Sequence, residues 1–268
     1  MFNLTPTVRT LLFINLGVYF LETQMKQVIV PFGALYPIGS VNFHAWQFVT
    51  YMFLHDPNSF MHVLSNMFGL ISFGPLLEQR WGGERLLIFW MICGIGAGAL
   101  YSGVRYYELH QIDKARIEFR QNPTGVGFAE FYRDFAPEEY NPERAAAATA
   151  LNRNPSEQSL ISSTVEDVNL FYSRTINSSS AGMLGASGAL FGLLFAFGYL
   201  FPNTELMLLF FPFPIKAKYF VTLYALYELY AGIHQAPGDN VAHFAHLGGL
   251  LIGFIVLKIW ERSHTRFY

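Results

Sequence analysis

The sequence predicts an all-α polytopic membrane protein, and two observations carry this prediction. Hydrophobic residues make up 52% of the 268 residues, and charged residues make up only 13%. An average soluble domain is less apolar and carries about twice that share of charge. The hydrophobic residues also form long runs, and about 20 consecutive apolar residues suffice for a helix to cross a bilayer. The net charge of -2 offers no basic surface for nucleic acid, so the lipid bilayer is the expected partner.

Six apolar runs are candidates for membrane-spanning helices. They lie at residues 8–28, 60–77, 84–104, 181–201, 216–234 and 240–260. The first run lacks a small-residue cleavage site, so we expect a retained helix and not a signal peptide. The fifth run is the weakest, because Pro212 and Pro214 precede it and Glu228 interrupts it. The sequence therefore predicts a six-transmembrane-helix bundle.

A polar insertion separates the third and fourth predicted spans. Between Arg105 and Ser180 lie 8 of the 17 Lys and Arg residues and 11 of the 19 Asp and Glu residues. The chain accordingly divides into helices 1–3 with the first outer loop (1–104), the insertion (105–180) and helices 4–6 with a short tail (181–268). Within the insertion, helical spacing extends the third span toward Asn122. A second helix is predicted over 143–151, and Thr164 with Asp167 resembles a capping box that opens a third.

The orientation follows from the charges of the short loops. With the N-terminus inside, the inner segments carry eight Lys and Arg residues, whereas the outer segments carry only Lys26 when the long insertion is set aside. Positive residues concentrate on the cytoplasmic side of membrane proteins. We therefore expect both termini in the cytoplasm and an extracytoplasmic insertion. The expected location is the bacterial cytoplasmic (inner) membrane.

Four polar residues fall at similar depth near the predicted outer ends of three helices. Ser187 and His246 each lie about six residues into their spans, which places both about 9 Å below the outer face at 1.5 Å per residue. His62 and Asn66 are four residues apart, so they share one helix face. Small residues follow Ser187 and His246 and permit close helix packing. A hydroxyl and an imidazole are therefore expected to face each other.

This pair suits nucleophilic catalysis. A serine hydroxyl needs a base to take its proton, and neutral histidine is suited to that role. His62, the Asn66 amide and the Ser187 backbone N–H are the expected donors to an oxyanion. No carboxylate is predicted at the same depth, so a Ser-His dyad is expected, with Glu228 in a helix-packing or rim role. His243 is expected to be a structural or cavity-lining residue. No metal is expected because no H-E-x-x-H occurs, and no cofactor is expected.

Three motifs together resemble the rhomboid intramembrane serine proteases. They are G-x-S-G at residues 185–188, A-H-x-G-G at 245–249 and H-x-x-x-N at 62–66. The resemblance implies a rhomboid-like bundle of six helices with a water-filled cavity that opens outward. It also implies that Ser187 is the nucleophile and His246 the general base.

The same resemblance assigns further residues and marks two departures. His62 and Asn66 would stabilise the oxyanion, and Gly185 and Phe191 would belong to the oxyanion and substrate-binding part of the site. Gln47 stands where many members carry arginine, and Phe191 stands where many carry a tyrosine that stacks on the histidine.

The implied function is a serine endopeptidase that cleaves transmembrane segments of membrane proteins near their outer ends. The alternative is a catalytically inactive rhomboid-like scaffold that binds membrane helices. A transporter is disfavoured because the sequence shows no internal repeat.

Overall fold

The structure is a computed structural model that describes residues 4–208, 211–234 and 242–264. Within these ranges the chain is predominantly helical, with one two-stranded antiparallel sheet. The helices are α1 (Pro6–Gly33), α2 (Gln47–Thr50), α3 (Phe60–Trp81), α4 (Gly83–Gln121), α5 (Gly125–Phe135), α6 (Pro142–Arg153), α7 (Gln158–Asn177), α8 (Ser187–Leu200), α9 (Ala217–His234) and α10 (His243–His264). The strands are β1 (Glu205–Leu208) and β2 (Phe211–Lys216).

Packing divides the chain into two compact units. The first unit comprises residues up to Tyr36, Asn42–Gly103 and the residues from Gly182 onward. The second comprises Pro37–Val41 and Val104–Ala181. The predicted division at 105 and 180 also assigns the insertion to the outer side of the membrane. It therefore stays a prediction.

Three of the described helices are long and apolar enough to cross a membrane, namely α3, α4 and α10. α8 is also apolar but has only 14 residues. Together with α1 and α9, these helices fall on the six predicted spans. The first unit exposes many large apolar side chains, as expected of helices that contact lipid. Examples are Phe13, Phe20, Leu223, Leu226 and Ile233.

A buried glutamate joins the start of α1 to the end of α3. Glu78 accepts hydrogen bonds from the backbone N–H groups of Thr7 (2.9 Å) and Val8 (3.0 Å) and from the Thr5 hydroxyl. The first N–H groups of a helix have no partner within the helix, and the helix dipole favours a negative charge there. Glu78 therefore caps α1 and fixes the antiparallel packing of these two helices.

Three local features of the structure differ from the prediction. The fourth helix begins at Ser187 and not at 181, because Gly185 adopts a positive φ of 139° that ends the preceding segment. Thr164 opens no helix: it lies inside α7, where its hydroxyl bonds the Leu160 carbonyl at 2.8 Å. Before α9, strands β1 and β2 pair antiparallel, which the sequence did not predict. Residues 240 and 241 of the sixth predicted span lie outside the described residues.

The second unit has its own aromatic core and a partly buried ion pair. Phe128, Phe131, Tyr132 and Phe171 pack together, and the Tyr132 hydroxyl donates to Asp167 at 3.0 Å. Arg144 donates two hydrogen bonds to the same carboxylate, at 2.8 and 3.1 Å. Its guanidinium also lies over the Tyr132 ring, 4.1 Å from the ring centre. A bidentate pair of this kind joins α6 to α7 and α5.

The charge of Asp167 depends on these donors. Burial alone would raise the pKa of Asp167, but hydrogen bonds from Arg144 and Tyr132 outweigh burial and hold this pKa below its usual value. A depressed carboxyl pKa contributes stability that is present above the unfolded-state value and is lost as the pH falls through the folded-state value. We therefore expect amide protection in the second unit to persist from neutral pH down to about pH 4 and to decline below it.

Arg144→Met should lower the opening free energy of amides in α5, α6 and α7 by about 2 kcal/mol, because it leaves Asp167 without its charged donor. Hydrogen exchange on the full chain measures this quantity. Arg153→Met, an exposed change on the same helix, is the matched control. Equal protection in the two variants would show that the ion pair does not stabilise this unit.

Candidate active site

Ser187 is the first residue of α8 and follows a tight backbone turn. Gly185 has a φ of 139°, a conformation that favours glycine. A Cβ atom there would lie 3.0 Å from His62 Nε2 and 3.5 Å from Ser187 Oγ. The absence of a side chain therefore leaves space between these two groups. As the first residue of a helix, Ser187 also has a backbone N–H without a carbonyl partner in that helix.

Close packing of α8 against α10 brings the histidine to the serine. A Cβ atom at Gly249 would lie only 1.9 Å from the Gly188 carbonyl oxygen, so the two backbones meet at a distance that no side chain permits. One turn further, a Cβ atom at Gly253 would lie 3.1 Å from Gly192 Cα. The small residues that the sequence analysis singled out therefore form the helix interface.

The serine and histidine side chains are hydrogen-bonded. His246 Nε2 lies 2.8 Å from Ser187 Oγ. His246 is 8% exposed, and Ser187 is partly exposed. The Phe191 ring stacks on the imidazole, with ring centres 4.1 Å apart and planes 7° apart. The stacking therefore holds the His246 ring in a plane in which its Nε2 faces the Ser187 hydroxyl.

His62 presents one ring nitrogen to the same space. Its Nδ1 accepts a hydrogen bond from the Asp56 backbone N–H at 3.2 Å, which places the proton of a neutral ring on Nε2. Nε2 is the atom nearest to the missing side chain of Gly185. His62 is thus arranged as a donor beside Ser187.

Asn66 is placed differently from His62. It is buried, and its Nδ2 donates to the His62 carbonyl oxygen at 2.8 Å. This bond uses one of its two N–H donors. The structure brings Ser187, His246, His62 and Gly185 together, with Phe191 on the imidazole, whereas Asn66 bonds within its own helix. Its role toward an oxyanion stays a prediction.

Gln47 makes the hydrogen bonds that hold the loop between α1 and α2. It is fully buried, its Oε1 accepts from the backbone N–H groups of Tyr36 (3.3 Å) and His44 (3.1 Å), and its Nε2 donates to the Asn42 carbonyl (2.9 Å). A neutral amide that donates and accepts can satisfy such a loop without a charge. Glutamine at this position therefore preserves an ordered loop.

A second histidine that sequence reasoning missed packs against His62. His55 is fully buried, and its ring meets the His62 ring edge to face at 5.2 Å. Neither of its ring nitrogens has a partner among the described residues. Burial, with a smaller contribution from His62, lowers the pKa of His55 to about 3, so this ring is neutral at physiological pH. The His55 backbone N–H donates a hydrogen bond to the Glu22 carboxylate at 2.9 Å.

The prediction that no carboxylate lies near the dyad is wrong. Glu228 on α9 is 2% exposed, and its Oε2 lies 2.9 Å from His246 Nδ1 and 2.6 Å from His243 Nδ1. His243 is therefore not an isolated structural residue. Glu228 lies six residues before the end of α9, about 9 Å from that end at 1.5 Å per residue. Counting depth from the end of α9 would have found it, because α9 runs opposite to α8 and α10 in the predicted topology.

Two imidazoles and a carboxylate are also the donor types that bind zinc. The relevant atoms of Glu228, His243 and His246 lie within 4.8 Å of one another. The shortest of these contacts have hydrogen-bond lengths, and His246 Nε2 bonds the serine. Hydrogen bonds join His243 to Glu228 and His246 to Ser187, and Glu228 lies at ion-pair distance from His246. The expected absence of a metal stays a prediction.

Comparison with known proteins identifies relatives of this chain. The sequence profile of the Rhomboid domain matches residues 42–110 and 161–262, more than half of the chain. The chain is 26% identical over 223 residues to an uncharacterized mitochondrial rhomboid protein of Schizosaccharomyces pombe, covering 81% of this chain and 52% of the relative. It is 37% identical over 87 residues to mitochondrial rhomboid protein 1 of Saccharomyces cerevisiae, covering 31% of this chain and 25% of the relative. No solved structure matches the chain.

These comparisons establish the fold class but not the activity. The profile match and the apolar helices confirm the predicted fold class, an all-α polytopic membrane protein. The chain spans about half the length of the fission-yeast relative and a quarter of the budding-yeast relative. Activity, substrates and partners therefore require their own argument.

The contact of α8 with α10 gives a direct test of the site's architecture. Gly249→Ala should lower the free energy of unfolding by about 3 kcal/mol, because its Cβ atom would displace a neighbouring backbone. Gly17→Ala on α1 is the matched control, since a Cβ atom there meets no other atom within 4 Å. Thermal unfolding in the same detergent compares them. Equal melting temperatures would show that the two helices are not in backbone contact.

Proposed function

The chain belongs to the rhomboid family, and on that premise we propose that it is an intramembrane serine endopeptidase. It would cleave transmembrane segments of other membrane proteins near their outer ends, with Ser187 as nucleophile and His246 as general base. One observation carries the proposal, the 2.8 Å hydrogen bond between His246 Nε2 and Ser187 Oγ. Ser187 is partly exposed, as the proposal requires if a substrate is to reach it.

The chemistry would proceed in two stages. His246 takes the proton from Ser187 as the hydroxyl oxygen attacks the scissile carbonyl carbon, which forms a tetrahedral oxyanion. The protonated ring then gives this proton to the leaving amine, and an acyl-enzyme remains. A water molecule, deprotonated by the same imidazole, hydrolyses the ester and restores the serine.

The oxyanion would find its donors on one side of the serine. His62 Nε2–H faces the space beside Gly185, and the Ser187 backbone N–H lies at the start of α8. The positive end of the α8 dipole also favours a negative charge there. Asn66 is proposed as a further donor through the N–H that does not bond the His62 carbonyl. Fixed donors of this kind stabilise the transition state more than the ground state.

The substrate must expose a peptide bond that a helix normally protects. Backbone hydrogen bonds and surrounding side chains shield the carbonyl groups of a transmembrane helix. Local unwinding is therefore required before attack, and small or helix-weakening residues near the outer end of a substrate favour it. This argument proposes transmembrane proteins as the substrate class.

We propose an orientation in the membrane but no particular cellular membrane. The predicted bacterial cytoplasmic membrane gains no support from the two relatives, both of which are named mitochondrial. The loop charges support a topology in which both termini lie on the side of the positive loops. The catalytic pair would then lie toward the opposite face.

The inactive scaffold is distinguished from the enzyme by the reactivity of one hydroxyl. Wild-type protein should react covalently with a fluorophosphonate at Ser187 and should cleave a transmembrane substrate in liposomes. Ser187→Ala should abolish labelling and lower cleavage on the order of 10⁴-fold or more, because no other nucleophile replaces the serine.

Ser72→Ala, at a partly exposed serine on α3, is the matched control and should retain wild-type rates. Labelling is measured by mass spectrometry and cleavage by gel electrophoresis. Equal cleavage by Ser187→Ala and wild type, or no reaction of wild type with either reagent, would contradict the proposal and favour a scaffold.

A further inference from the structure

We infer that Glu228 is a positioning residue that completes a Ser187–His246–Glu228 arrangement, in place of the expected two-residue dyad. The inference rests on the proposed function and deepens it. The carboxylate lies behind the imidazole, on the side away from the serine. It acts on the reaction through His246 and does not touch the substrate.

The geometry supplies a continuous series of contacts. Ser187 Oγ lies 2.8 Å from His246 Nε2, and His246 Nδ1 lies 2.9 Å from Glu228 Oε2. The same oxygen lies 2.6 Å from His243 Nδ1. The contact with His246 has ion-pair distance but does not have hydrogen-bond geometry, so the attraction is mainly electrostatic. Catalytic hydrogen bonds often tighten only when substrate is bound.

The position of the carboxylate determines which nitrogen of His246 carries the proton. A neutral imidazole has one N–H and one acceptor nitrogen. A carboxylate beside Nδ1 accepts and cannot donate, so it favours the proton on Nδ1. Nε2 is then the acceptor that faces Ser187 Oγ. This is the tautomer that can take the hydroxyl proton, and the opposite tautomer is inactive as a base.

The carboxylate also matters after proton transfer. His246 becomes an imidazolium within a packed helical bundle, where an unpaired charge is costly. A negative charge 2.9 Å from Nδ1 offsets this cost at the moment when it arises. His243 keeps the carboxylate in place through its shorter contact. Its position three residues before His246 puts both rings on one face of α10.

Two further features fix Glu228 at this position. Gly232, one turn later on α9, lets α10 approach so closely that a Cβ atom there would lie 3.2 Å from the His243 Cβ. Tyr224, one turn earlier, packs against Phe191, with ring centres 4.9 Å apart. Phe191 in turn stacks on His246. α9 is thus packed against residues of the site one turn before Glu228 and one turn after it.

A purely structural role makes a different prediction. If Glu228 only joined α9 to α10 through His243, its loss would weaken folding, but correctly folded protein would retain its rate per molecule. The test therefore measures the reactivity of folded protein. Suitable quantities are the rate of fluorophosphonate labelling of Ser187 and kcat and KM for a transmembrane substrate in liposomes.

Glu228→Gln should lower the labelling rate and kcat on the order of 10²- to 10³-fold, because a glutamine amide can donate to Nδ1 and favour the inactive tautomer. KM should stay within about twofold of wild type, because Glu228 lies away from the substrate. Glu228→Asp retains the charge and should react at least about tenfold faster than Glu228→Gln. His234→Gln removes an exposed ionisable group from the same helix and should leave all rates unchanged.

The outcomes separate this inference from the proposed function. If wild type and Glu228→Gln react at equal rates while Ser187→Ala is inert, the protease stands and the positioning role is overturned. The role is also overturned if aspartate recovers no more activity than glutamine. If wild type itself neither labels nor cleaves, the proposed function fails, and the inference fails with it.

A measurement on unsubstituted Glu228 keeps the inference testable if its variants do not fold. Nitrogen-15 spectra of histidine-labelled protein report which ring nitrogen is protonated, and His246 is assigned by its loss in His246→Gln. The expected result is that the neutral form of His246 carries its proton on Nδ1. A proton on Nε2 would overturn the inference.

Discussion

The candidate site depends on backbone contact between α8 and α10. Glycines on both helices remove the side chains that normally keep helix axes apart, and Gly249 meets the carbonyl of Gly188 directly. Within a bilayer, helices gain little from the hydrophobic effect when they associate, so close van der Waals packing takes its place. The serine and the histidine each lie within one turn of this contact. Their hydrogen bond is therefore set by rigid elements and not by a loop.

The other polar groups are held by different devices that converge on the same place. A positive φ at Gly185 clears space for His62, and the Asp56 backbone N–H orients the His62 ring. A stacked Phe191 fixes the plane of His246. These contacts leave the hydroxyl and the donors in place before any substrate arrives. Preorganisation of this kind is a large part of catalysis, because no reorganisation is required as charge develops.

The sequence predicted the helices and the facing pair of Ser187 and His246, but not their full surroundings. Apolar runs of membrane length and the motifs around Ser187 and His246 are local signals, and short-range pattern suffices to detect them. The start of α8 was misplaced by six residues, because apolarity does not reveal where a backbone turn such as that at Gly185 interrupts a run. Glu228 was misjudged because its helix packs antiparallel to the helix of His246. Its depth can be counted from the end of α9, but whether its side chain faces His246 depends on how the two helices are rotated about their axes, and no local pattern contains that rotation.

Three buried glutamates of the first unit illustrate two uses of the same side chain. Glu78 and Glu22 accept backbone N–H groups, at the start of α1 and in the first outer loop respectively, and so satisfy donors that would otherwise be unpaired. Glu228 has no backbone donor among the described residues, and its partners are two imidazole rings. A buried carboxylate costs several kcal/mol unless it is paired, and apolar residues of similar size can replace a structural pair without loss of stability. Packing alone therefore gives no reason for a carboxylate at Glu228. The proposed role of His246 does give one, because an imidazole that accepts and releases a proton becomes positively charged for part of the cycle, and a carboxylate stabilises that charge.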